Sequence, residues 1–294
     1  MNKIKNTKNL IKKEEKVLTK VGECGIIIHV VAGLVELADT SVLEADAERR
    51  EGSSPFTRTT RLSLFKAIFL YLGDVMKYYE AYDKRYDKVH SLGLEWEESD
   101  PSPIVKNIIR KYNVSKENSI LEIGCGEGRD ARVLLEEGYN ILASDVSQEV
   151  VNYCKKKYNS ERFIKLDAVT ERLNKKFDFI YSVAVIHMLV DNVDRLKFFE
   201  FINNHLKNNG IALVCSMGDG IETKCTNKED AFNIVKREHN NNVVDVVATS
   251  CRMVNWNKLE KEVEDSNLKI LEKGIVENTP GFSKMMYIVI KKNG

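Results

Sequence analysis

The chain has 294 residues, of which 43% are hydrophobic and 30% are charged, and its 45 basic and 44 acidic side chains give a formal net charge of +1. This composition predicts a soluble globular protein with one full-sized domain and an additional segment. The charge is balanced, so the chain has no excess of positive charge to attract nucleic acid or an anionic membrane. Neither is expected as a partner. Six cysteines without a C-x-x-C pair predict reduced thiols in a cytoplasmic protein, and they suggest neither a metal site nor a disulfide framework.

Residues 1–75 differ in character from the remainder of the chain. A Lys- and Asn-rich opening leads into the apolar run 25–32, which superficially imitates a signal peptide. We reject that interpretation because the basic region contains Glu14 and Glu15 and because His29 interrupts the apolar run. The second apolar stretch, 62–72, is much shorter than the roughly 20 residues of a membrane span, so no transmembrane helix is predicted.

Residues 32–60 resemble the conceptual translation of a transfer-RNA gene. The codons for Val-Glu-Leu-Ala-Asp at 35–39 can spell the D arm, and those for Gly-Ser-Ser-Pro at 52–55 can spell the T arm. The resemblance implies that residues 1–75 are not a folded functional unit and that translation begins at Met76. The alternative is an ordinary disordered extension with a short amphipathic helix. In either case the expected domain is 76–294.

An aromatic stripe opens this domain. Tyr78, Tyr82 and Tyr86 recur at helical spacing, so one face of a helix is aromatic. The stripe either packs onto the domain or places one or two rings over a bound ligand. The acidic stretch 94–103 contains Trp96 and two prolines and is predicted to be a loop, followed by a helix over 104–112. That loop is either a solvated connector or a reader of a cationic or aromatic substrate.

A glycine-rich turn follows the first buried strand. The apolar run 120–123 is typical of a strand in a parallel sheet, and helical periodicity resumes over 129–137. Between them Gly124, Gly126 and Gly128 allow positive φ and bring backbone N–H groups close to a ligand. A dinucleotide fingerprint needs glycine where Arg129 stands, so the spacing disfavours a nicotinamide cofactor.

Strands and helices then alternate, and acids follow the second and third strands. Strand 140–144 ends at Asp145, at the separation from the glycines at which such folds hold ribose hydroxyls. Ser147 is expected to cap helix 148–157, and strand 162–166 ends at Asp167. Strand 177–185 is followed by Ile186-His187-Met188, helix 195–206, an Asn-Gly turn at 207–210 and strand 211–215.

This order of motifs resembles that of the class I S-adenosylmethionine-dependent methyltransferases. Glu122 with the three glycines is similar to the family's motif I, and Asp145 and Asp167 match its later acidic positions. Strand 177–185 with the following residues 186–189 resembles its motif IV. The resemblance implies an α/β fold with a Rossmann-like, doubly wound, mostly parallel seven-stranded sheet whose last strand is antiparallel. It also implies S-adenosylmethionine as cofactor.

The resemblance further implies roles for individual residues. Glu122 would orient the methionine amino group, Gly124 and Gly126 would admit the carboxylate, and Asp145 would hold the ribose. Asp167 matches the position that contacts the adenine amine, although a surface capping aspartate is an equal alternative. An Arg in the first turn of a helix is more often solvated, but Arg129 is a candidate for the carboxylate. The full candidate cofactor set is Glu122, Gly124, Cys125, Gly126, Arg129, Asp145, Val146, Asp167, Ala168, Ser182, Tyr78 and Tyr82.

Two stretches lie outside the regular alternation. The insertion 218–255 is predicted to contain a polar helix over 231–239 and a β-rich run over 243–248. It and residues 76–103 are expected at the carboxyl ends of the strands, where they would form lid and substrate elements. Asn255 is expected to cap helix 258–265, and strands 268–276 and 285–290 are expected to complete the sheet.

Methyl transfer from a sulfonium mainly requires positioning of donor and acceptor in a dry site. A base is needed only for an acceptor that loses a proton, and His187 is the candidate, with a histidine bonded to backbone as the alternative. Residues 182–185 read Ser-Val-Ala-Val, so the N-P-P-Y type of motif found in enzymes that methylate nucleic-acid amines is absent. The sequence therefore predicts a small-molecule acceptor. A protein or RNA methyltransferase and a catalytically inactive cofactor-binding regulator remain as alternatives, and the oligomeric state is not predicted.

Overall fold

A computed structural model describes residues 30–31, 34–35, 77–96, 100–239 and 242–294. The chain divides into two compact units, Met1–Asp74 and Val75–Gly294. In the first unit the described residues form two short antiparallel strands, Val30–Val31 and Leu34–Val35. The other predictions made for residues 1–75 lie outside the described residues.

A seven-stranded sheet is the centre of the second unit. Its strands lie in the order β10 (Leu268–Thr279), β11 (Phe282–Lys292), β5 (Leu206–Met217), β4 (Phe177–Val183), β1 (Ile120–Ile123), β2 (Ile141–Asp145) and β3 (Phe163–Lys165). The first five in chain order pair in parallel, while β11 is antiparallel to both β5 and β10. The predicted fold class is confirmed. The strands are β1 Ile120–Ile123, β2 Ile141–Asp145, β3 Phe163–Lys165, β4 Phe177–Val183, β5 Leu206–Met217, β6 Lys224–Cys225, β7 Ile234–His239, β8 Asn242–Val247, β9 Arg252–Met253, β10 Leu268–Thr279 and β11 Phe282–Lys292.

Helices cover both faces of this sheet, so β1 is buried along its whole length. Such double coverage explains why β1 reads as an almost continuous apolar run instead of an alternating one. Ser147 and Asn255 accept the backbone N–H groups of Val150 and Lys258, which confirms both predicted helix caps. The helices are α1 Ala81–Ser91, α2 Pro103–Lys111, α3 Arg129–Glu136, α4 Gln148–Tyr158, α5 Asn192–His205 and α6 Trp256–Asp265. No helix within the described ranges is long and apolar enough to cross a membrane.

The helix predicted over 231–239 is wrong. Residues 234–239 form β7, which pairs antiparallel with β8 outside the main sheet. Val244 and Val246 of β8 are buried against Val89 of α1, so the pairing places apolar side chains on one face of a hairpin. The charged residues of β7 favour a helix locally, but the burial of its partner strand decides the outcome.

The turn predicted at 207–210 is also wrong, because these residues belong to β5. Phe177 pairs with Leu206 and Phe179 pairs with Ile211, so the ladder between β4 and β5 contains a register shift. At Gly210 a Cβ would lie 2.9 Å from the carbonyl oxygen of Phe177. The lack of a side chain at Gly210 therefore allows β4 and β5 to approach closely, and the glycine does not form a tight turn.

Candidate active site

The glycine turn joins β1 to α3 at the carboxyl edge of the sheet. Gly124, Gly126 and Gly128 have φ of 73°, 52° and 84°, in the left-handed region that favours glycine. A Cβ on Gly124 would lie 2.2 Å from Val185 Cγ2, and one on Gly128 would lie 2.7 Å from Tyr158 Cε2. The predicted need for glycine is thus explained by both backbone conformation and close packing.

Glu122 is buried at the end of β1, immediately before the turn, with 3% of its surface exposed. It neighbours Tyr181 on the adjacent strand β4. Desolvation raises the pKa of Tyr181 well above its usual value, and the Glu122 carboxylate adds to this rise. The structure therefore places an acidic group inside the sheet edge, next to the turn.

Asp145 joins the glycine turn to the end of β2. Its Oδ2 accepts the Gly126 N–H at 2.9 Å and its Oδ1 accepts the Ser147 N–H at 2.9 Å. Desolvation raises the pKa of Asp145 to about 6, although both of these hydrogen bonds lower it. The side chain thus holds the turn in place, and its burial disfavours the charged form.

Asp167 follows β3 and collects hydrogen bonds from the N-terminal segment. Its Oδ2 accepts from Lys77 Nζ at 2.6 Å, from the Tyr79 hydroxyl at 3.1 Å and from the Thr170 hydroxyl at 2.7 Å. Burial raises the pKa of Asp167, but the hydrogen bonds from Lys77 and Thr170 outweigh it and lower the net pKa. The backbone N–H of Val169 also donates to Oδ1, so Asp167 caps the turn that follows it, as the alternative interpretation expected.

Arg129 is the first residue of α3 and is largely buried. Its Nη2 donates to the Ser102 hydroxyl at 3.1 Å, and its Nη1 donates to the carbonyl oxygen of Pro280 at 3.4 Å. Its buried Nε has no hydrogen-bond partner within the described part of the chain. The solvated position that is usual for an Arg in a first helical turn is therefore not what the structure shows.

The remaining candidates close to the turn are apolar or bonded to backbone. The Ser182 hydroxyl donates to the carbonyl oxygen of Ile123 and ties β4 to β1. The thiols of Cys125 and Cys154 lie 3.6 and 3.3 Å from the carbonyl oxygen of Gly126. Ala168 is buried, and Val146 packs against the core beneath the sheet edge.

His187 lies in a single 3₁₀ turn, Ile186–Met188, directly after β4. Its Nδ1 accepts the backbone N–H of Met217 at 3.3 Å, and 3% of its surface is exposed. Desolvation, with a smaller contribution from Arg195, lowers its pKa to about 4. The ring is therefore neutral at pH 7, and its accepting nitrogen already has a donor.

The segment 77–91 lies across the carboxyl ends of four parallel strands. The Tyr78 hydroxyl accepts the N–H of Val190 after β4 at 3.1 Å and donates to Asp194 at 2.7 Å. Asp83 accepts from the Ser147 hydroxyl after β2 at 2.6 Å. Together with the contact of Lys77 to Asp167, these bonds join the N-terminal segment to the residues that follow the strands at the carboxyl edge of the sheet.

A second polar contact anchors the end of α1 to the glycine turn. His90 Nε2 lies 2.8 Å from Glu127 Oε1, and its Nδ1 lies 3.2 Å from Glu149 Oε1. The His90 ring stacks on Tyr153 with centroids 4.3 Å apart. Sequence reasoning missed these partners because they are distant in the chain, and no local spacing connects them.

Tyr82 and Tyr86 occupy α1 beside the buried Arg85. The Arg85 guanidinium lies 5.2 Å from the Tyr82 ring centroid and 4.7 Å from that of Trp96. Its Nη2 donates to the carbonyl oxygens of Val247 and Ala248, each at 2.8 Å. The predicted aromatic stripe therefore partly packs in the core and partly contacts the buried Arg85. The sequence did not single out that arginine.

Residues 121–214 match the family model described as a methyltransferase domain. The ubiquinone biosynthesis O-methyltransferase of Rickettsia prowazekii is 29% identical over 187 residues, which are 60% of this chain and 68% of that protein. The protein of the same name from Rickettsia canadensis is 28% identical over 118 residues, and the match spans about half (49%) of its length. A solved S-adenosylmethionine-dependent methyltransferase from Clostridium acetobutylicum superposes with a TM-score of 0.52 at 20% identity, covering 71% of this chain and 96% of that one.

The fold is that of the class I methyltransferases, with the strand order and the single antiparallel strand described above. The matched domain runs from β1 into β5 and contains the glycine turn and the acids that follow β2 and β3. The solved methyltransferase from Clostridium acetobutylicum is described as dependent on S-adenosylmethionine.

Proposed function

We propose that the chain is an S-adenosylmethionine-dependent methyltransferase that acts on a small molecule. The observation that carries the proposal is the glycine turn with buried acids around it. Three turn glycines on alternate positions have positive φ, and Glu122, Asp145 and Asp167 lie at or just beyond the ends of three neighbouring parallel strands. Hydrogen-bond acceptors at this edge suit the amine and hydroxyl donors of the cofactor.

The residues of this edge fit the cofactor in a second respect. The buried Arg129 Nε has no partner in the described part of the chain, and a carboxylate would supply one. We assign the methionine carboxylate to Arg129 and the backbone of Gly124, Cys125 and Gly126. Glu122 would take the amino group.

The nucleoside would lie further along the same edge. Asp145 and Val146 are assigned to the ribose, while Asp167, Ala168 and Ser182 would line the adenine side. Asp145 already accepts two backbone N–H groups, but each carboxylate oxygen has a second lone pair for a hydroxyl donor. Tyr78 and Tyr82 belong to the segment that would cover the bound molecule.

The bound cofactor supplies an electrophilic methyl group, and the chain supplies position and exclusion of water. The acceptor would take the methyl group, the cofactor would leave as the neutral thioether, and a hydroxyl acceptor would release its proton to solvent. The named relatives are O-methyltransferases of ubiquinone biosynthesis, which supports a small acceptor with a hydroxyl group. That acceptor would enter between the segment 77–96 and the residues that follow β8.

His187 enters the proposal as a positioning residue. Its Nδ1 accepts the Met217 N–H, so the neutral ring carries its proton on Nε2 and offers no free acceptor to a substrate hydroxyl. The low pKa of about 4 also makes it a weak base at neutral pH. This geometry favours the backbone-bonded alternative over the general base.

Calorimetry on the purified chain tests cofactor identity. We expect binding of S-adenosylmethionine and of S-adenosylhomocysteine and no binding of NAD. Asp145→Ala should weaken cofactor binding by about 1–3 kcal/mol, because it leaves hydroxyl donors without a partner in a buried site. Asp265→Ala, which removes an exposed carboxylate at the end of α6, is the matched control and should change nothing.

Tight NAD binding without S-adenosylmethionine binding would refute the proposal. If the cofactor binds, a screen of metabolite extracts with methyl-labelled donor identifies the acceptor. Label in a small product supports the proposal. Label in protein or RNA would replace the small-molecule assignment, and no transfer from a tightly bound donor would indicate a cofactor-binding regulator.

A further inference from the structure

Arg85 is the most deeply buried charge of the N-terminal segment. Its residue surface is 6% exposed, and its guanidinium lies between the rings of Tyr82 and Trp96. All of its hydrogen bonds use Nη2, which donates to Val247, Ala248 and the Thr249 hydroxyl. Nε is buried without a partner in the described part of the chain.

No carboxylate of the described residues forms an ion pair with Arg85. A second guanidinium, Arg237, is close enough to act on it, since desolvation and then Arg237 lower the pKa of Arg85. Arg237 pairs across the hairpin with Val244, whose side chain is buried against Val89 of α1. Because paired residues share a face, Arg237 lies on the side of the hairpin that faces α1.

A third cation belongs to the same region. Burial raises the pKa of the Cys251 thiol, and Lys224 of β6 lowers it in part. Arg85 is bonded directly to residues 247–249, while Arg237 and Lys224 are exposed cations on two other elements, β7 and β6. A buried arginine without a counter-ion is unfavourable, and an incoming anion would remove that penalty.

The stretch that Arg85 holds leads directly to the turn after β4. The Ser250 hydroxyl donates to the carbonyl oxygen of Met188 at 2.6 Å, and Cys251 Sγ lies 3.7 Å from Met217 Sδ. Met188 belongs to the same 3₁₀ turn as His187, which matches the family's motif IV region. The positive region is thus continuous with the place where the acceptor must meet the methyl group.

We infer that Arg85, supported by Arg237, binds an oxyanion group of the methyl acceptor, a carboxylate or a phosphate. This inference rests on the proposed function. The planar guanidinium offers its unpaired Nε–H for a charge-assisted hydrogen bond, and the flanking rings of Tyr82 and Trp96 fix its plane. The reacting group of the acceptor would extend from this anchor towards the turn that contains Met188.

The test uses the full chain saturated with S-adenosylhomocysteine and three small probes: sodium benzoate, phenyl phosphate and neutral benzamide. We expect at least one anion to bind about tenfold or more tightly than benzamide, because a buried charge-assisted hydrogen bond is made only with the anion. Preference between benzoate and phenyl phosphate tells carboxylate from phosphate. Higher salt should weaken anion binding and leave benzamide unchanged.

Two variants localise the site, and one controls for charge. Arg85→Met should abolish the preference for the anion, and Arg237→Gln, on an exposed residue, should reduce it about threefold. Lys84→Gln removes one exposed positive charge from the same helix and should change nothing. Cofactor affinity and melting temperature, measured on each variant, show whether Arg85→Met is folded. If it is not, Arg237→Gln carries the test.

Equal binding of benzoate, phenyl phosphate and benzamide by a chain that binds S-adenosylhomocysteine would overturn the inference and leave the proposed function intact. Anion binding that appears only in Glu97→Gln/Glu98→Gln would also overturn it, because a carboxylate of the chain itself would then occupy the site. Failure to bind S-adenosylhomocysteine would instead refute the proposed function.

Discussion

At the scale of single residues, burial shifts the pKa values of two titratable groups near the turn, and both shifts favour the neutral form. Asp145 has its pKa raised to about 6 from 3.8, and His187 has its pKa lowered to about 4 from 6.5. The contribution of Asp145 to the stability of the folded state therefore decreases as pH rises from 3.8 through 6. His187 is less favourable as pH falls from 6.5 through 4.

His187→Asn isolates one of these effects. A depressed folded-state pKa contributes stability that is present above 6.5 and lost as pH falls through 4, about 3 kcal/mol for a shift of this size. The variant has no histidine to protonate, so it does not lose this stability. Its free energy of unfolding minus that of the wild type should therefore increase by about that amount between pH 7 and pH 4. Urea unfolding at several pH values measures the difference.

Lys88→Met, an exposed change on α1, should show no such pH dependence and serves as the control. The same His187→Asn enzyme should keep the shape of the wild-type pH–rate profile, since Asn can still accept the Met217 N–H. A constant stability difference across pH would contradict the shifted pKa, and loss of the acid-side limb of the rate profile, where a general base becomes protonated, would contradict the positioning role.

At the scale of elements, α1 packs against the β7–β8 hairpin, and in the proposed function these two elements form the cover of the site. Residues 77–91 are bonded to loops and pack on the domain through a few apolar side chains, whereas β1, β4 and β5 are buried in the sheet. Elements of the first kind open locally with less free energy than the sheet does. Cofactor binding should therefore protect the cover and leave the sheet unchanged.

Hydrogen exchange with and without S-adenosylmethionine measures this difference. We expect α1 and the β7–β8 hairpin to gain protection on binding, and Lys77→Met to lose part of that gain because it breaks the bond to Asp167. Lys88→Met is again the matched control on the same helix. Equal protection of α1 in the free and bound states would show that it is a fixed part of the fold.

The sequence predicted the sheet well and the cover poorly, for a physical reason. β1 and its turn are specified locally, since an apolar run, an acid and three glycines lie within nine residues, 120–128. The bond between Lys77 and Asp167 joins residues 90 positions apart, and Arg85 meets the stretch 247–249 across more than 160. The charged strand β7 looks helical until its pairing with β8 is known.

The candidate site divides in the same way. The sequence located the carboxyl edge through Glu122, Asp145 and Asp167, but Asp145's bonds to the turn and Asp167's bonds to the N-terminal segment depend on tertiary contacts. Arg85 carried no sequence signal, because a single arginine on an aromatic helix is normally solvated. Its burial between two rings is visible only in the folded chain.

At the scale of the whole molecule, the units Met1–Asp74 and Val75–Gly294 set where the chain can be cut. A chain that starts at Met76 retains Lys77 and every described contact of α1, so it should match the full chain in melting temperature and cofactor affinity. A chain that starts at Gly93 loses α1 and should lose cofactor affinity. Thermal unfolding and calorimetry provide both comparisons.

A fall of several degrees on removal of residues 1–75 would show that they stabilise the domain. Mapping the natural transcript and the protein's N-terminus tests the transfer-RNA resemblance separately. The two results are independent, since a translated extension can still be dispensable for folding.

The bonds of residues 77–91 also have a kinetic meaning. This one segment is bonded to loops after β1, β2, β3 and β4, through His90, Asp83, Lys77 and Tyr78. In the proposed function a product lies beneath this segment, and it could not leave past one loop while the other bonds hold the segment in place. We therefore expect the four loops to act as one gate whose single opening event sets the residence time of product. In the exchange experiment, such a gate would appear as correlated opening of all amides from Lys77 to His90.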